Sequence, residues 1–344
     1  MATVVVCSYF EEEHVARIRE VDERLRVLYR EDLVPPPRWP GDHVGPPAWH
    51  RSEEGEDEFL AMLGEAEVLY DFPRGHTEDL VRLAPKLSWV QASMAGAGEI
   101  IERAGLQDAG VAVTTASGVY SGPLAEFAMM ALLAHAKDLD RLRRDKAEKR
   151  WRQTTTGTLY GKILCVVGVG SIGQAVAVRA RPFGMRVVGV KRVVGEDDAA
   201  WGYADELYAT RDLHQALREA DYVVAALPGT PETQRLLNAE AIGAMKQGAY
   251  FVNVGRGKVV HEGALVEALK SGHLAGAALD VFEEEPLPED SPLWELENVV
   301  VSPHSTDMVG AQINERQVDL FCENLRRYLD GKPLINEVDK KLLY

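Results

Sequence analysis

The chain has 344 residues, is 46% hydrophobic and carries a formal net charge of −16 with a sequence pI near 5.1. That is enough apolar material for two ordinary domains, each with its own core. The acidic balance sets the molecule against phosphate backbones and anionic membranes, and no apolar run reaches the roughly 20 residues of a spanning helix. The opening MATVVVCSYFEEEH lacks the basic start of a signal peptide and reads as a strand. Cys7, Cys165 and Cys322 are far apart, two in apolar strands and one in a late helical stretch. They are expected to be small core residues rather than a disulfide or metal framework. Composition therefore predicts a soluble protein of a reducing compartment, the cytoplasm, with no metal, no nucleic-acid partner and no membrane.

Along the chain, TVVVCSYF is followed by the helical EEEHVARIREVDERL and then RVLY. Beyond an interruption come DEFLAMLGEA, EVLYDF, TEDLVRLA, LSWVQASMAG, GEIIERAGL and VAVTTAS. Such alternation of short apolar runs with helical stretches predicts a parallel sheet with helices on both faces. The interruption, residues 34–56, is rich in proline and holds Trp39 and Trp49, so it is assigned to the surface. Ser121-Gly122-Pro123 then opens a single long helix, PLAEFAMMALLAHAKDLDRLRRDKAEK, apolar all round in its first half and charged in its second. A helix apolar on every side must be covered on every side, within its own domain or between two subunits.

From Gly161 the alternation resumes through KILCVVGVG, VAVRARPFG, MRVVGVKR, DLHQALREA, YVVAALP, EAIGAMKQG, AYFVNVGRG, ALVEALKSG, AGAALDVF and NVVVSPH. This is a second doubly wound unit. The final INERQVDLFCENLRRYLDGK has helical spacing and is free to return to the first unit.

The second unit opens with Gly168-x-Gly170-x-x-Gly173, which follows an apolar strand and starts a helix, the context in which this spacing is informative. Gly168 permits the tight turn, Gly170 lets backbone approach a pyrophosphate, and Gly173 lets helix and strand pack closely. The amides of Ser171 and Ile172 then face the phosphates at the positive end of the helix. A dinucleotide site follows. In such sites an acid about 20 residues on bonds the adenosine ribose, whereas an Arg accommodates a 2′-phosphate. Here Lys191 and Arg192 stand at the end of the second strand, and no carboxylate occurs between Gly168 and Glu196. The pair predicts NADP(H) as the preferred cofactor, with NAD as the alternative.

Arg256 in NVGRGKVV, Glu285 closing EEE before Pro286, and His304 after NVVVSP are each ordinary alone. Together they sit at the carboxyl ends of successive strands, the rim where ligands bind in open α/β sheets. Arg256 can hold a substrate carboxylate and polarise a neighbouring carbonyl. Reduction of that carbonyl needs a proton on the developing alkoxide, and histidine is the usual donor. A carboxylate hydrogen-bonded to the histidine orients its ring and favours its charged form, which suits Glu285.

The order GVGSIG, NVGRG, ALDVFEEEPLP, SPH, with GVYSGPLAEFA and ADYVVAALPGTPETQRLLNAEAI, resembles the D-isomer-specific 2-hydroxyacid dehydrogenases over roughly residues 87 to 335. The resemblance implies two doubly wound parallel-sheet domains with the active-site cleft between them. A flavodoxin-like substrate domain would comprise residues 1–120 plus 305–344, and a Rossmann nucleotide-binding domain residues 121–304. It makes Arg256 the substrate-binding residue, Glu285 the support of the acid and His304 the acid/base. By the same resemblance Asp280 holds the nicotinamide carboxamide, and Leu227, Pro228, Thr233, Val254 and Ser305 line the cofactor. Backbone amides around Ala95-Gly96-Ala97 cradle the substrate carboxylate. A homodimer built on the helix after Pro123 is implied as well.

Three departures stand out. His261 replaces a frequent acid and is expected to cap the next helix. Ser305-Thr306 replaces the usual Ile-Gly or Ile-Ala after the histidine, and Lys191-Arg192 replaces the common Asp. The last departure resembles the NADPH-using glyoxylate and hydroxypyruvate reductases of the family, which makes a small 2-keto acid the expected substrate. NAD-dependent phosphoglycerate or D-lactate dehydrogenases are the alternatives within the chemistry. Formate dehydrogenases rank below them, because they place glutamine where Glu285 stands. A nucleotide-sensing co-repressor scaffold is the alternative outside the chemistry.

Overall fold

The computed structural model describes residues 1–195 and 202–342. They divide into two compact units, Met1–Tyr120 with the chain from Met308 onward, and Ser121–Asp307. The first unit runs β1 (Ala2–Val6), α1 (Glu12–Arg19), β2 (Leu25–Leu28), α2 (Glu53–Glu65), β3 (Val68–Tyr70), α3 (Leu80–Leu83), β4 (Trp89–Gln91), α4 (Gly98–Arg103) and β5 (Ala112–Thr114). The second opens with α5 (Ser121–Ala136), α6 (Leu139–Ala147), β6 (Ile163–Val167), α7 (Ser171–Ala180), β7 (Arg186–Lys191) and β8 (Glu206–Ala209). It continues with α8 (Leu213–Arg218), β9 (Tyr222–Ala225), α9 (Ala239–Ala244), β10 (Ala249–Asn253), α10 (Glu262–Lys270), β11 (Leu274–Leu279) and β12 (Val299–Val301). The last helix, α11 (Gln312–Leu329), belongs to the first unit.

Both sheets are parallel throughout. The first has the order β2-β1-β3-β4-β5, which is flavodoxin-like, and reverses its winding between β1 and β3. The second has the order β12-β11-β10-β9-β6-β7-β8, the Rossmann arrangement, and reverses between β6 and β9. Strands covered on both faces read as continuous apolar runs, and alternate residues of one strand feed opposite cores. In the first unit Val5, Leu69, Val90 and Val113 pack with Phe59 and Leu63 of α2 and with Ile101 of α4. On the other face Val4, Val6, Val68, Tyr70 and Trp89 pack with Ile18 of α1 and with Val318, Phe321 and Leu325 of α11. The amphipathic α11 thus completes one face of a sheet whose last strand ends at Thr114, far ahead of it in the chain. In the second unit α8, α9 and α10 cover one face through Leu217, Ile242 and Leu265. There α5 lies on α7, β10 and β11.

Three elements differ from the sequence expectation. The single long helix after Pro123 is two helices, because Asp138 adopts a left-handed backbone (φ 53°) between α5 and α6. Aspartate is among the few residues that tolerate that region, and its carboxylate accepts from Arg141 Nε at 2.6 Å. Most of α5 is covered within its own unit, although Met130 stays 45% exposed. Strand β8 is additional. It is a short edge strand, ELYA, with only its last residue buried, so it lacks the apolar run that marks its neighbours. Finally, α2 starts inside the proline-rich segment, where the Ser52 hydroxyl accepts the Gly55 amide at 3.1 Å. The three cysteines are free and buried, and no helix among the described residues is long and apolar enough to cross a membrane.

One glycine shows how tightly the rim of the second sheet is packed. A Cβ at Gly257 would lie 1.8 Å from the carbonyl oxygen of Phe282, whereas one at Gly170 would meet nothing within 4 Å. Gly257→Ala is therefore expected to lower the melting temperature by about 5 °C or more, and Gly170→Ala to leave it unchanged. Thermal melting of the two variants beside the parent checks this, and equal melting of all three would remove the packing argument.

Candidate active site

The glycine-rich loop leaves β6 at the reversal point of the second sheet. Gly168 has φ 102°, and a Cβ there would lie 2.7 Å from the Ala226 carbonyl oxygen. At Gly173 a Cβ would come within 2.0 Å of the Gly168 oxygen, so α7 can press on the loop only through a glycine. Neither constraint acts at Gly170, which is exposed and faces open space just ahead of Ser171 and Ile172 in the first turn of α7. Packing thus accounts for two glycines of the motif. The third leaves room for a ligand to approach backbone, which is the requirement of a bound pyrophosphate.

Lys191 closes β7, its carbonyl accepting from Thr210 Oγ1 at 3.1 Å. Arg192 follows, with Nη1 3.4 Å from Glu232 Oε2. Leu227 and Pro228 leave the end of β9, and the Thr233 hydroxyl closes the turn after them, donating to the Pro228 carbonyl at 2.6 Å and accepting from the Thr230 amide at 2.9 Å. Val254 is buried directly after β10.

The three candidate catalytic side chains stand on loops leaving β10, β11 and β12. Asn253, fully buried at the end of β10, shapes the first loop: its Oδ1 accepts from the Gly255 amide at 3.1 Å and its Nδ2 donates to the Arg256 carbonyl at 3.2 Å. Arg256 is half-buried, with Nη1 donating to the Gly255 carbonyl at 2.9 Å. Glu285 is held from behind, since its Oε1 accepts from the Phe282 amide at 3.0 Å. Its Oε2 meets His304 Nδ1 at 2.7 Å. The side chains of His304 and Glu285 remain 41% and 35% exposed, so the pair is rigidly held yet open to a ligand. His304 itself has a left-handed backbone (φ 52°), unusual for a non-glycine residue and found where surrounding structure imposes it.

Asp280 imposes it. This buried carboxylate at the end of β11 accepts from the amides of Ser305 and Thr306 at 3.1 and 3.2 Å, and from the Thr306 hydroxyl at 2.8 Å. The residue that the resemblance assigns to the nicotinamide therefore also anchors the turn that carries His304. Next to it, Asp307 has its carboxyl pushed above the ordinary 3.8, first by burial and then by the Asp280 charge, while His304 and Arg256 pull it back. Asp307 thus senses both cationic candidates. Asn253 and Asp307 were not singled out from sequence, and Thr306 was noted only as part of the departure after the histidine. A polar residue ending the apolar run AYFVN is the signal that would have found Asn253. His261 caps α10, its Nδ1 accepting the Ala264 amide at 3.1 Å.

The structure places the remaining candidates, Ala95, Gly96 and Ala97, in the first unit, between β4 and α4. Ala95 and Gly96 are exposed and Ala97 is buried.

A Rossmann sheet with a glycine-rich turn at its reversal point, and an arginine with a carboxylate-held histidine on the same rim, defines a nicotinamide-dependent oxidoreductase. Residues 129–306 match the family model described as D-isomer specific 2-hydroxyacid dehydrogenase, NAD binding domain. A glyoxylate reductase of Thermococcus kodakarensis is 40% identical over 244 residues, covering 68% of this chain and 71% of that protein. Among solved structures, a D-isomer specific 2-hydroxyacid dehydrogenase of Xanthobacter autotrophicus Py2, bound to NADPH and MES, aligns with a TM-score of 0.78 and 30% identity over 100% of this chain and 99% of that one. The NADPH-dependent glyoxylate/hydroxypyruvate reductase of Sinorhizobium meliloti, bound to NADP and sulfate, aligns with a TM-score of 0.77 and 25% identity over 100% of both chains. The protein belongs to the D-isomer specific 2-hydroxyacid dehydrogenase family and is an NAD(P)-dependent 2-hydroxyacid dehydrogenase.

The raised carboxyl of Asp307 has a consequence for stability. A folded-state value above the unfolded one favours the native state below the unfolded value and loses that contribution as pH rises through the folded one. Asp307→Asn, neutral at every pH, is thus expected to need more urea to unfold than the parent at pH 7. The difference should close as pH falls below 3.8. Urea midpoints measured from pH 3 to 8 decide it, and a gap independent of pH would show that ionisation of Asp307 is not its cause.

Proposed function

We propose that the protein is an NADPH-preferring reductase of small 2-keto acids, glyoxylate and hydroxypyruvate foremost, acting as a cytoplasmic homodimer. The observation that carries the chemistry is the 2.7 Å contact between Glu285 Oε2 and His304 Nδ1 on the rim that also bears Arg256. In this reading the second unit binds nucleotide and the first supplies substrate contacts. NADPH, when bound, supplies a hydride to the carbonyl carbon. Arg256 holds the substrate carboxylate and draws electron density toward the carbonyl oxygen through charge-assisted hydrogen bonds. His304 gives its Nε2 proton to the developing alkoxide. Glu285 accepts from Nδ1, which fixes the ring orientation and leaves Nε2 for the substrate. Amides at Ala95, Gly96 and Ala97 are the first unit's contribution to carboxylate binding.

The cofactor preference is supported by Lys191 and Arg192 at the end of β7, where an NAD-specific chain would offer a carboxylate. Among the described residues Arg192 pairs with Glu232, and both side chains are at least half exposed, so that pairing is worth little. A 2′-phosphate with nearly two charges and three acceptor oxygens is the stronger partner. Relatives of known structure hold NADPH or NADP. Dimerisation is supported by apolar side chains left uncovered from α5 to the start of β6: Met130, Leu142, Trp151 and Tyr160 are 45%, 45%, 94% and 77% exposed.

Initial rates with glyoxylate and hydroxypyruvate, using NADPH and NADH in parallel, test the reading. The parent is expected to show a higher kcat/KM with NADPH. Lys191→Ala with Arg192→Ala should weaken NADPH while sparing NADH, and equal losses with both would mean that the pair does not read the 2′-phosphate. His304→Gln is expected to bind NADPH normally in a fluorescence titration yet turn over at least about a hundredfold more slowly. Turnover near that of the parent would take His304 out of the mechanism.

A further inference from the structure

The proline-rich segment 34–56 and the YDFPRG stretch after β3 play no part in the chemistry above. The structure ties them together. Arg74 donates to the carbonyls of Val44 and Pro47 at 2.8 and 2.7 Å. Arg51 donates to the carbonyls of Leu33 and Arg74 at 2.7 and 3.2 Å, with its guanidinium 3.6 Å from the Phe59 ring centre. Asp42 accepts from the amides of Val44 and Gly45 and from Arg38. A segment cross-braced in this way is a wall, not a mobile flap.

The wall stands on the reversal point of the first sheet, where an open α/β sheet offers its ligand crevice. His43 occupies that point. Its Nδ1 meets Ser8 Oγ, just beyond β1, at 3.2 Å. Its ring packs edge-on to Phe10 at 5.3 Å, and Nε2 is shut off from solvent. On the other side of the reversal lies Asp71, the residue after β3. Its backbone is left-handed (φ 67°) and its side chain is buried. Burial raises the Asp71 carboxyl and lowers the His43 imidazole, each acting on the other to oppose the shift.

A buried carboxyl in a strained conformation calls for a reason, and its partners supply one. Asp71 Oδ1 accepts the Phe72 amide at 2.9 Å, and Oδ2 accepts the Ser93 hydroxyl at 2.7 Å. Ser93 is the last buried residue before the exposed turn at Ala95 and Gly96. Its carbonyl accepts from the Tyr120 hydroxyl at 2.6 Å, and the Met94 carbonyl accepts the Ala116 amide at 2.9 Å. The root of the 94–97 turn is thus fixed by the buried bond from Ser93 to Asp71, by the Tyr120 hydroxyl on the Ser93 carbonyl, and by a backbone contact at Met94.

We propose that Asp71 is a positioning residue for the 94–97 turn, acting through Ser93, with His43 of the proline-rich wall filling the crevice beside it. This rests on the reading that the turn holds the substrate carboxylate. The wall then governs substrate affinity without touching substrate: it keeps water from the Asp71–Ser93 bond, and that bond holds the amides in place. A misplacement of about 1 Å in such a contact is costly, on the order of a hundredfold at worst.

Ser93→Ala, Ser93→Thr and Asp71→Asn test it. Asparagine tolerates the left-handed backbone, and the serine pair removes and then restores the hydroxyl with little change of shape. Two readouts are taken on each: KM and kcat for glyoxylate beside the NADPH dissociation constant, and amide hydrogen exchange over residues 93–98 without substrate. Ser93→Ala is expected to raise KM about tenfold with kcat and NADPH affinity within twofold, and to speed exchange in the turn. Ser93→Thr should restore both. Unchanged KM and exchange in Ser93→Ala, or parallel loss of NADPH affinity, would overturn the proposal. Failure of the parent to reduce any keto acid would instead refute the substrate reading, and the exchange data would still decide whether Asp71 orders the turn.

Discussion

Every strand in each sheet points the same way, and this one constraint organises the molecule. Parallel strands need crossovers, the crossovers are helices, and the helices cover both faces of the sheet. What remains for ligands is the carboxyl rim, onto which successive loops empty side by side. In the second sheet that rim receives the glycine-rich turn after β6, Arg256 after β10, Asp280 and Glu285 after β11, and His304 after β12. Residues more than 130 positions apart become neighbours because the sheet order makes them so.

The rim also shows how loops are made rigid without secondary structure. Polar side chains at or beyond strand ends bond to loop backbone, near or distant in sequence: the buried Asn253 to Gly255 and Arg256, the buried Asp280 to Ser305 and Thr306, and the more exposed Glu285 to Phe282. A buried polar group must find partners, and loop amides are what the strand end offers. The cost of burial thereby becomes a positional constraint on the candidate reacting groups. His304 is the clearest case. Its left-handed backbone is sustained by three bonds from the following two residues to one carboxylate. In the first unit Asp71 and Ser93 repeat the arrangement at a different rim.

Much of this was legible beforehand. The double alternation of apolar runs and helical stretches gives the fold class, since strands buried on both faces leave continuous runs of Val, Ile and Leu. The glycine spacing marks the reversal point because packing forbids a side chain at Gly168 and Gly173. Arg256, Glu285 and His304 could be paired with chemistry from residue type and strand position. Strand β8 was not legible, because an edge strand of four residues with one buried face position carries almost no pattern. The break at Asp138 was hidden for a related reason: aspartate is common in charged helices, and nothing local distinguishes the one that turns left-handed.

The sequence by itself determined the two-unit α/β class, the glycine-rich turn and the candidate reacting side chains, because these depend on periodicity, on glycine sterics and on functional-group chemistry. Only the tertiary structure decided which polar residues hold those side chains in place. Thr306, Asp307, His43 and Asp71 lack any local signature of their role. Their function is to satisfy a hydrogen bond or a charge on a residue that is distant in sequence or placed by an unusual backbone angle. Such pairings exist only after the strands have been set side by side.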